Sequence, residues 1–183
     1  MKILTETYYD FKDVLIQPKR SNLSSRNQVD LEKTVTCLHS KRVWTGVPIL
    51  ASNMDTTGTF EVYKVLSEQN MLTVLHKFYT LEHYTVQKTS LNPDLFAVST
   101  GISNDDFDRL VSIMKVVHCN WICIDIANGY LDGMVSFCKR VREQYPDKII
   151  IAGNVVTREI VEELILEGKV DIVKIGIGPG SAC

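Results

Sequence analysis

The amino-acid sequence predicts an α/β fold: a (β/α)8 TIM barrel, present as an incomplete barrel of about six βα units behind an N-terminal arm. Three observations predict it. Short apolar runs recur with starts about 23–27 residues apart, the period of a βα unit. An amphipathic helical pattern lies between each run and the next, and strict strand–helix alternation implies a parallel sheet with helices outside it. Polar residues follow the ends of the runs one after another. A barrel gathers its strand C-termini at one mouth, whereas a doubly wound open sheet, which shares the alternation, spreads them along an edge.

The arm comes first. Residues 1–45, with Tyr9-Asp-Phe-Lys-Asp-Val-Leu-Ile-Gln-Pro-Lys-Arg20 and a polar stretch over 21–27, read as an arm leading into a hairpin. No linker marks a second domain, so residues 1–183 are expected to form one. The apolar runs cover 47–51, 71–75, 95–99, 121–125, 148–152 and 171–175. They are too short for helices and apolar on both faces, as buried parallel strands are. Helices are expected over 59–69, 81–90, 104–117, 132–145 and 157–167. The third begins with Asn104 as a cap and acidic residues in its first turn. The fourth stops before Pro146. The fifth has Thr157 as N-cap and Gly168 as the residue just past its end.

Composition excludes several function classes. The chain has 183 residues, 20 basic and 22 acidic side chains, and a net charge of −2. No electrostatic footprint for nucleic acid or anionic lipid exists. No apolar run reaches membrane-spanning length, and the N-terminus lacks the apolar stretch of a secretory signal. The five cysteines, 37, 119, 123, 138 and 183, are odd in number and irregularly spaced. That pattern argues for a reducing, cytoplasmic compartment rather than a disulfide framework. Cys119 and Cys123 could form half a metal site, but Cys123 sits inside a strand run and reads as a buried thiol.

The chemistry-bearing residues cluster after the runs: Asn53 and Asp55, then His76 and Lys77, Asp125 and Asn128, Asn154, and last Gly176-Ile-Gly-Pro-Gly-Ser-Ala-Cys183. In that segment three glycines and a proline precede a cysteine. Glycine lets a backbone approach a ligand or ion closely, and a thiol held past such a turn is a candidate nucleophile. A tight turn with an incidental cysteine gives the same local pattern. His76 reads as a structural histidine; His39, His83 and His118 fall in peripheral segments.

Several of these motifs, in this order, carry a resemblance. They are Phe11-Lys-Asp-Val-Leu-Ile-Gln-Pro-Lys-Arg20, Ala51-Ser-Asn-Met-Asp-Thr56, His76-Lys77, Asp125-Ile-Ala-Asn-Gly-Tyr130, Ala152-Gly-Asn-Val155 and the terminal glycine loop. The chain resembles the N-terminal part of the IMP dehydrogenase/GMP reductase family, on its reductase side. Two features favour that side: the run ending at Leu75 is followed at once by the next βα unit, without the regulatory insertion usual in the dehydrogenases, and the loop after Asp125 has the reductase form.

The resemblance implies NADPH-dependent reductive deamination of GMP to IMP and ammonia, in a homotetramer. Cys183 would attack C2 of the purine, forming a covalent thioimidate. Asp125, Ile126, Ala127, Ile177, Gly178 and Lys77 match cofactor contacts, and Ser25 and Arg26 match residues that reach the cofactor of a neighbouring subunit. Gly178, Gly180 and Cys183 match backbone oxygens around a monovalent cation, K+. Read alone, Asp125 equally caps a turn, Lys77 is a solvated loop lysine, and Ser25-Arg26 belongs to a mobile basic terminus. Asn53, Met54 and Asn154 face the expected pocket.

Family members continue past the cysteine with a Thr, a catalytic Glu, phosphate loops and two further βα units. The 183-residue chain alone is therefore expected to be inactive and, with open sheet edges, poorly soluble. Competing expectations are an NAD-dependent IMP dehydrogenase, a non-catalytic subunit that modulates full-length copies, and an unrelated (β/α) phosphosugar enzyme.

Overall fold

The computed structural model describes residues 11–177 together with Thr5, Thr7 and Tyr9. They fall into two compact units, one within the segment up to Asp30 and one spanning Leu31–Ile177. In the first, a short 3-10 turn covers Arg26–Gln28 and is capped by Ser25. Ser25 Oγ accepts from Asn27 N at 3.3 Å, and Gln28 Oε1 accepts from Ser24 N at 2.9 Å.

The second unit holds seven strands and five helices: β1 Lys33–Thr36, β2 Val43–Ala51, α1 Phe60–Ser67, β3 Met71–Leu75, α2 Leu81–Gln87, β4 Phe96–Thr100, α3 Asn104–Val116, β5 Trp121–Asp125, α4 Gly133–Gln144, β6 Ile149–Val155, α5 Arg158–Leu166 and β7 Ile172–Ile175. β1 and β2 form an antiparallel hairpin, and β2 to β7 are parallel neighbours in sequence order. That order decides between the two expected architectures. A doubly wound sheet reverses its strand order once, at the switch point where ligands bind. Here the order never reverses, so right-handed crossovers place all the helices on one face.

The sheet also curls. On a flat sheet β2 and β7, five steps apart, would be separated by about 24 Å. Lys174 Nζ on β7 nevertheless lies 3.2 Å from Asn53 Oδ1, just past β2. At the other end the hairpin turn spans the strand starts: His39 N and Ser40 N donate to Asp171 Oδ1 at 2.8 and 3.2 Å, and Arg42 Nη2 meets Asp147 at 2.9 Å. Trp44 and Trp121 pack edge to face at 5.5 Å, and both indole N–H groups donate to Asp94 O. These contacts close the end of the curl where the strands begin.

The central strands β3 to β6 are buried on both faces, as continuous apolar runs require; every residue of β4 is buried. Each helix turns one stripe inward. α4 buries Met134, Phe137, Cys138 and Val141, at i, i+3, i+4 and i+7. One helix-end expectation needs correction. The N-cap of α3 is Ser103, not Asn104, because Ser103 and Asp106 have the spacing for a reciprocal capping box, with bonds of 3.1 and 3.0 Å. Thr157 is the N-cap of α5 but makes no capping bond; its Oγ1 is 3.1 Å from the Tyr130 hydroxyl instead. Gly168 follows the C-cap Glu167 of α5, as expected, and the left-handed conformation is taken one residue later by Lys169, φ 56°. Gly168 is needed for space, since a Cβ there would sit 2.7 Å from Leu164 O.

Candidate active site

The C-terminal ends of β2, β3, β5, β6 and β7 build the mouth of the curl, and glycines bring their loops close enough to meet. After β2 the chain turns at once: Thr57 N and Gly58 N both donate to Met54 O, at 3.0 and 2.7 Å. Gly58 then lies on β3, its carbonyl accepting from His76 N at 2.9 Å. A Cβ on Gly58 would sit 2.2 Å from Val74 O, so only glycine permits this approach. The turn leaves Asn53 half-buried and Met54 exposed.

After β5 the chain is pinned to the end of β6. Ile126 N donates to Gly153 O at 3.0 Å, Asn154 N donates to Ile126 O at 2.9 Å, and Gly129 N donates to Asn154 O at 2.8 Å. The Tyr130 hydroxyl accepts from Val156 N and Thr157 N at 3.0 and 2.8 Å, tying the β5–α4 loop to the loop that starts α5. After β7, Gly176 N donates to Val155 O at 2.8 Å and the glycine takes φ 138°.

An open cavity of about 410 Å³ lies in this mouth, lined by Asn53, Lys77, Phe78, Asp125, Ile126 and Ala127. Four residues expected to contact a cofactor, Lys77, Asp125, Ile126 and Ala127, therefore share one cavity, with Asn53 beside them. Lys77 is exposed, and its ammonium lies 5.9 Å from the Phe78 ring centroid. Asp125 is held on both sides: Asn53 Nδ2 donates to its Oδ2 at 2.5 Å and Lys174 Nζ to its Oδ1 at 2.9 Å. Ile177 is 44% exposed and does not line the cavity. Asn154 is half-buried, and among the described residues its Oδ1 has no hydrogen-bond partner. Gly178, Gly180 and Cys183 lie outside the described residues, and Ser25 and Arg26 belong to the other unit.

The remaining candidates are structural. His76 is 8% exposed and stacks on Tyr79 at 3.9 Å. Burial lowers its pKa against the pull of Asp55, and its Nδ1 accepts from Phe78 N at 3.2 Å. A neutral, backbone-bound imidazole of this kind orders the loop carrying Lys77. Cys119 and Cys123 are fully buried, and burial pushes both thiols up to about 12. Among the described residues no cluster of three or more His, Cys, Asp or Glu could hold a metal ion. No helix among them is long and apolar enough to cross a membrane. A smaller cavity of about 140 Å³ near the strand starts is lined by apolar side chains, among them Trp44, Leu72, Trp121 and Ile172.

Lys174 is the residue that sequence reasoning missed. It lies inside the last apolar run and reads there as part of the strand. The available signal was a charged residue in a run otherwise fit for burial, which must find a partner.

Comparisons with known proteins agree with this architecture. The IMP dehydrogenase / GMP reductase domain matches residues 8–183. GMP reductase of Caenorhabditis elegans is 48% identical over 186 residues, 100% of this chain and 52% of the relative. GMP reductase 1 of Homo sapiens is 49% identical over 178 residues, 95% of this chain and 51% of the relative. The crystal structure of inosine 5′ monophosphate dehydrogenase from Legionella pneumophila superposes with a TM-score of 0.79 at 27% identity, covering 95% of this chain and 52% of that one. The chain thus spans about half the length of the curated relatives it matches.

Proposed function

Since the chain belongs to the IMP dehydrogenase/GMP reductase family, we propose that it forms the cofactor-binding half of a GMP reductase, converting GMP to IMP and ammonia with NADPH. One observation carries the proposal: Lys77, Asp125, Ile126 and Ala127, drawn from two strand ends, line a single cavity at the mouth. The donor set fits a nicotinamide nucleotide. A carboxylate at a strand end accepts hydrogen bonds from ribose hydroxyls. An exposed ammonium suits phosphate or carboxamide oxygens. Ile126 and Ala127 offer an apolar wall to a flat ring. Bound NADPH supplies a hydride to purine C2.

In this reading Cys183 is the nucleophile. Its thiolate adds to C2 of GMP and the exocyclic amine leaves as ammonia. Once C2 is reduced, the thiolate departs and is regenerated. A thiolate suits the task because it is a strong nucleophile and also a competent leaving group. Backbone oxygens of Gly178, Gly180 and Cys183 bind K+, and Ser25 and Arg26 reach the cofactor of a neighbouring subunit in a homotetramer. The reductase assignment is supported over the dehydrogenase by identities of 48–49% to the reductases above. It is also supported by the direct passage from β3 through α2 to β4, with no inserted domain between Leu75 and Phe96.

The test joins this chain to the C-terminal half of the C. elegans reductase. The fusion is supplied with GMP and NADPH, and in parallel with IMP and NAD. GMP-dependent NADPH oxidation is expected from the fusion and not from the 183-residue chain alone. Turnover with IMP and NAD only rejects the reductase assignment.

A further inference from the structure

We propose that Lys174 and Asn53 are positioning residues that fix the Asp125 carboxylate for cofactor binding; this rests on the reading of the cavity as the NADPH site. The register explains how they meet. Asp125 on β5 pairs with Gly153 on β6, and Gly153 pairs with Lys174 on β7. The three therefore lie in one row across the sheet, and the middle position carries no side chain. Lys174 extends over that gap to Asp125 Oδ1 at 2.9 Å. A Cβ on Gly153 would sit 2.6 Å from Lys174 Cβ and 2.5 Å from Lys174 O, so the gap is a condition of the contact.

Asn53 approaches from the other side of the mouth. It donates to Asp125 Oδ2 at 2.5 Å and accepts from Lys174 Nζ at 3.2 Å. The three side chains form a closed ring of hydrogen bonds drawn from β5, β7 and the turn after β2. Each carboxylate oxygen of Asp125 is held by a different partner, which fixes the plane of the group. Its remaining lone pairs stay free to accept from ligand hydroxyls. Lys174 also balances the carboxylate charge, so a ligand carrying phosphates does not meet a bare anion. The Asp125 and Lys174 side chains are 21% and 22% exposed, so the pair is shielded from water on most sides yet open to the cavity. Lys174 does not line the cavity and acts through Asp125.

The test uses Lys174→Met, Lys174→Arg, Asp125→Asn and the Lys174→Met/Asp125→Asn double variant, each in the full chain joined to the C-terminal half of the C. elegans reductase. Lys174→Met is expected to raise KM for NADPH about tenfold with kcat within about threefold, and Lys174→Arg to recover most of that loss. The double variant should be no worse than Asp125→Asn alone, because both changes remove the same oriented acceptor. An unchanged KM in Lys174→Met, or losses that multiply in the double variant, overturns the proposal. Crystal structures of the unmodified protein and of Lys174→Met give a readout that needs no turnover. The Asp125 carboxylate should leave its orientation when Lys174 is lost, and an unmoved carboxylate overturns the proposal even if the protein proves not to act on GMP. Absence of GMP-dependent activity in the unmodified fusion counts instead against the functional reading.

Discussion

Replacing Asp171 with Asn should be among the most damaging single changes in the chain. Asp171 immediately precedes β7, the strand that carries Lys174, and its side chain is fully buried. Its Oδ1 accepts from His39 N and Ser40 N at 2.8 and 3.2 Å, and its Oδ2 accepts from Arg142 Nη2 and Ile150 N at 2.7 and 3.2 Å. A carboxamide keeps the first oxygen but turns an NH2 group toward two donors. Breaking a buried ion pair by removing one partner costs about 3–5 kcal/mol, and an unpaired buried N–H about 1–3 kcal/mol. The two penalties share one group and do not simply add, so roughly 3–5 kcal/mol is expected in total. That is a large part of the ~5–15 kcal/mol that holds a typical domain folded. Urea unfolding followed by the fluorescence of Trp44 and Trp121 measures it.

The acid limb supplies a second readout of the same change. Burial alone would raise the Asp171 pKa, but the N–H groups of His39, Ser40 and Ile150, with Arg142, outweigh it and hold the carboxyl below its ordinary value. A depressed folded pKa stabilises the protein fully above the unfolded value, and that stabilisation is lost as pH falls through the folded one. Asp171→Asn should therefore flatten the acid side of the stability curve as well as lower it at neutral pH. A loss below about 1 kcal/mol, the net value of one ordinary hydrogen bond, would refute the view that this carboxylate anchors the hairpin to β7.

Two further outcomes follow from the same geometry. Gly153→Ala should cost about 1–3 kcal/mol, because the added methyl must push β6 and β7 apart, and should raise KM for NADPH by displacing Lys174; calorimetry and steady-state kinetics of the fusion check the two effects. Iodoacetamide at pH 8 should label Cys183 and spare Cys119, Cys123 and Cys138, whose buried thiols are pushed up to about 12; mapping by mass spectrometry before and after urea unfolding checks it, and equal labelling of all four in the native protein contradicts it.

Much of the fold was legible because parallel strands buried on both faces leave an unmistakable pattern. The runs over 71–75 and 121–125 coincide with β3 and β5, and the remaining strands differ from their runs mainly at the ends. The barrel direction was legible from the polar residues that follow the runs. β1 was not resolved from the arm, because its four residues are exposed and show no apolar run. The cavity-lining residues Lys77, Asp125, Ile126 and Ala127 were reached through resemblance; taken alone, each had an ordinary local reading. The ring around Asp125 was not legible at all. It depends on a cross-sheet register that places Gly153 between two charged residues, and on a curl that brings Asn53 across the mouth. Both are tertiary facts that no local window contains.

The most direct test of the account follows the hydride. The fusion is given GMP and NADPH carrying deuterium at both C4 positions of the nicotinamide ring, and the product is read by mass spectrometry. IMP one mass unit heavier, with the deuterium at C2, is the predicted result. IMP without deuterium, or deuterium at any other position, would contradict it.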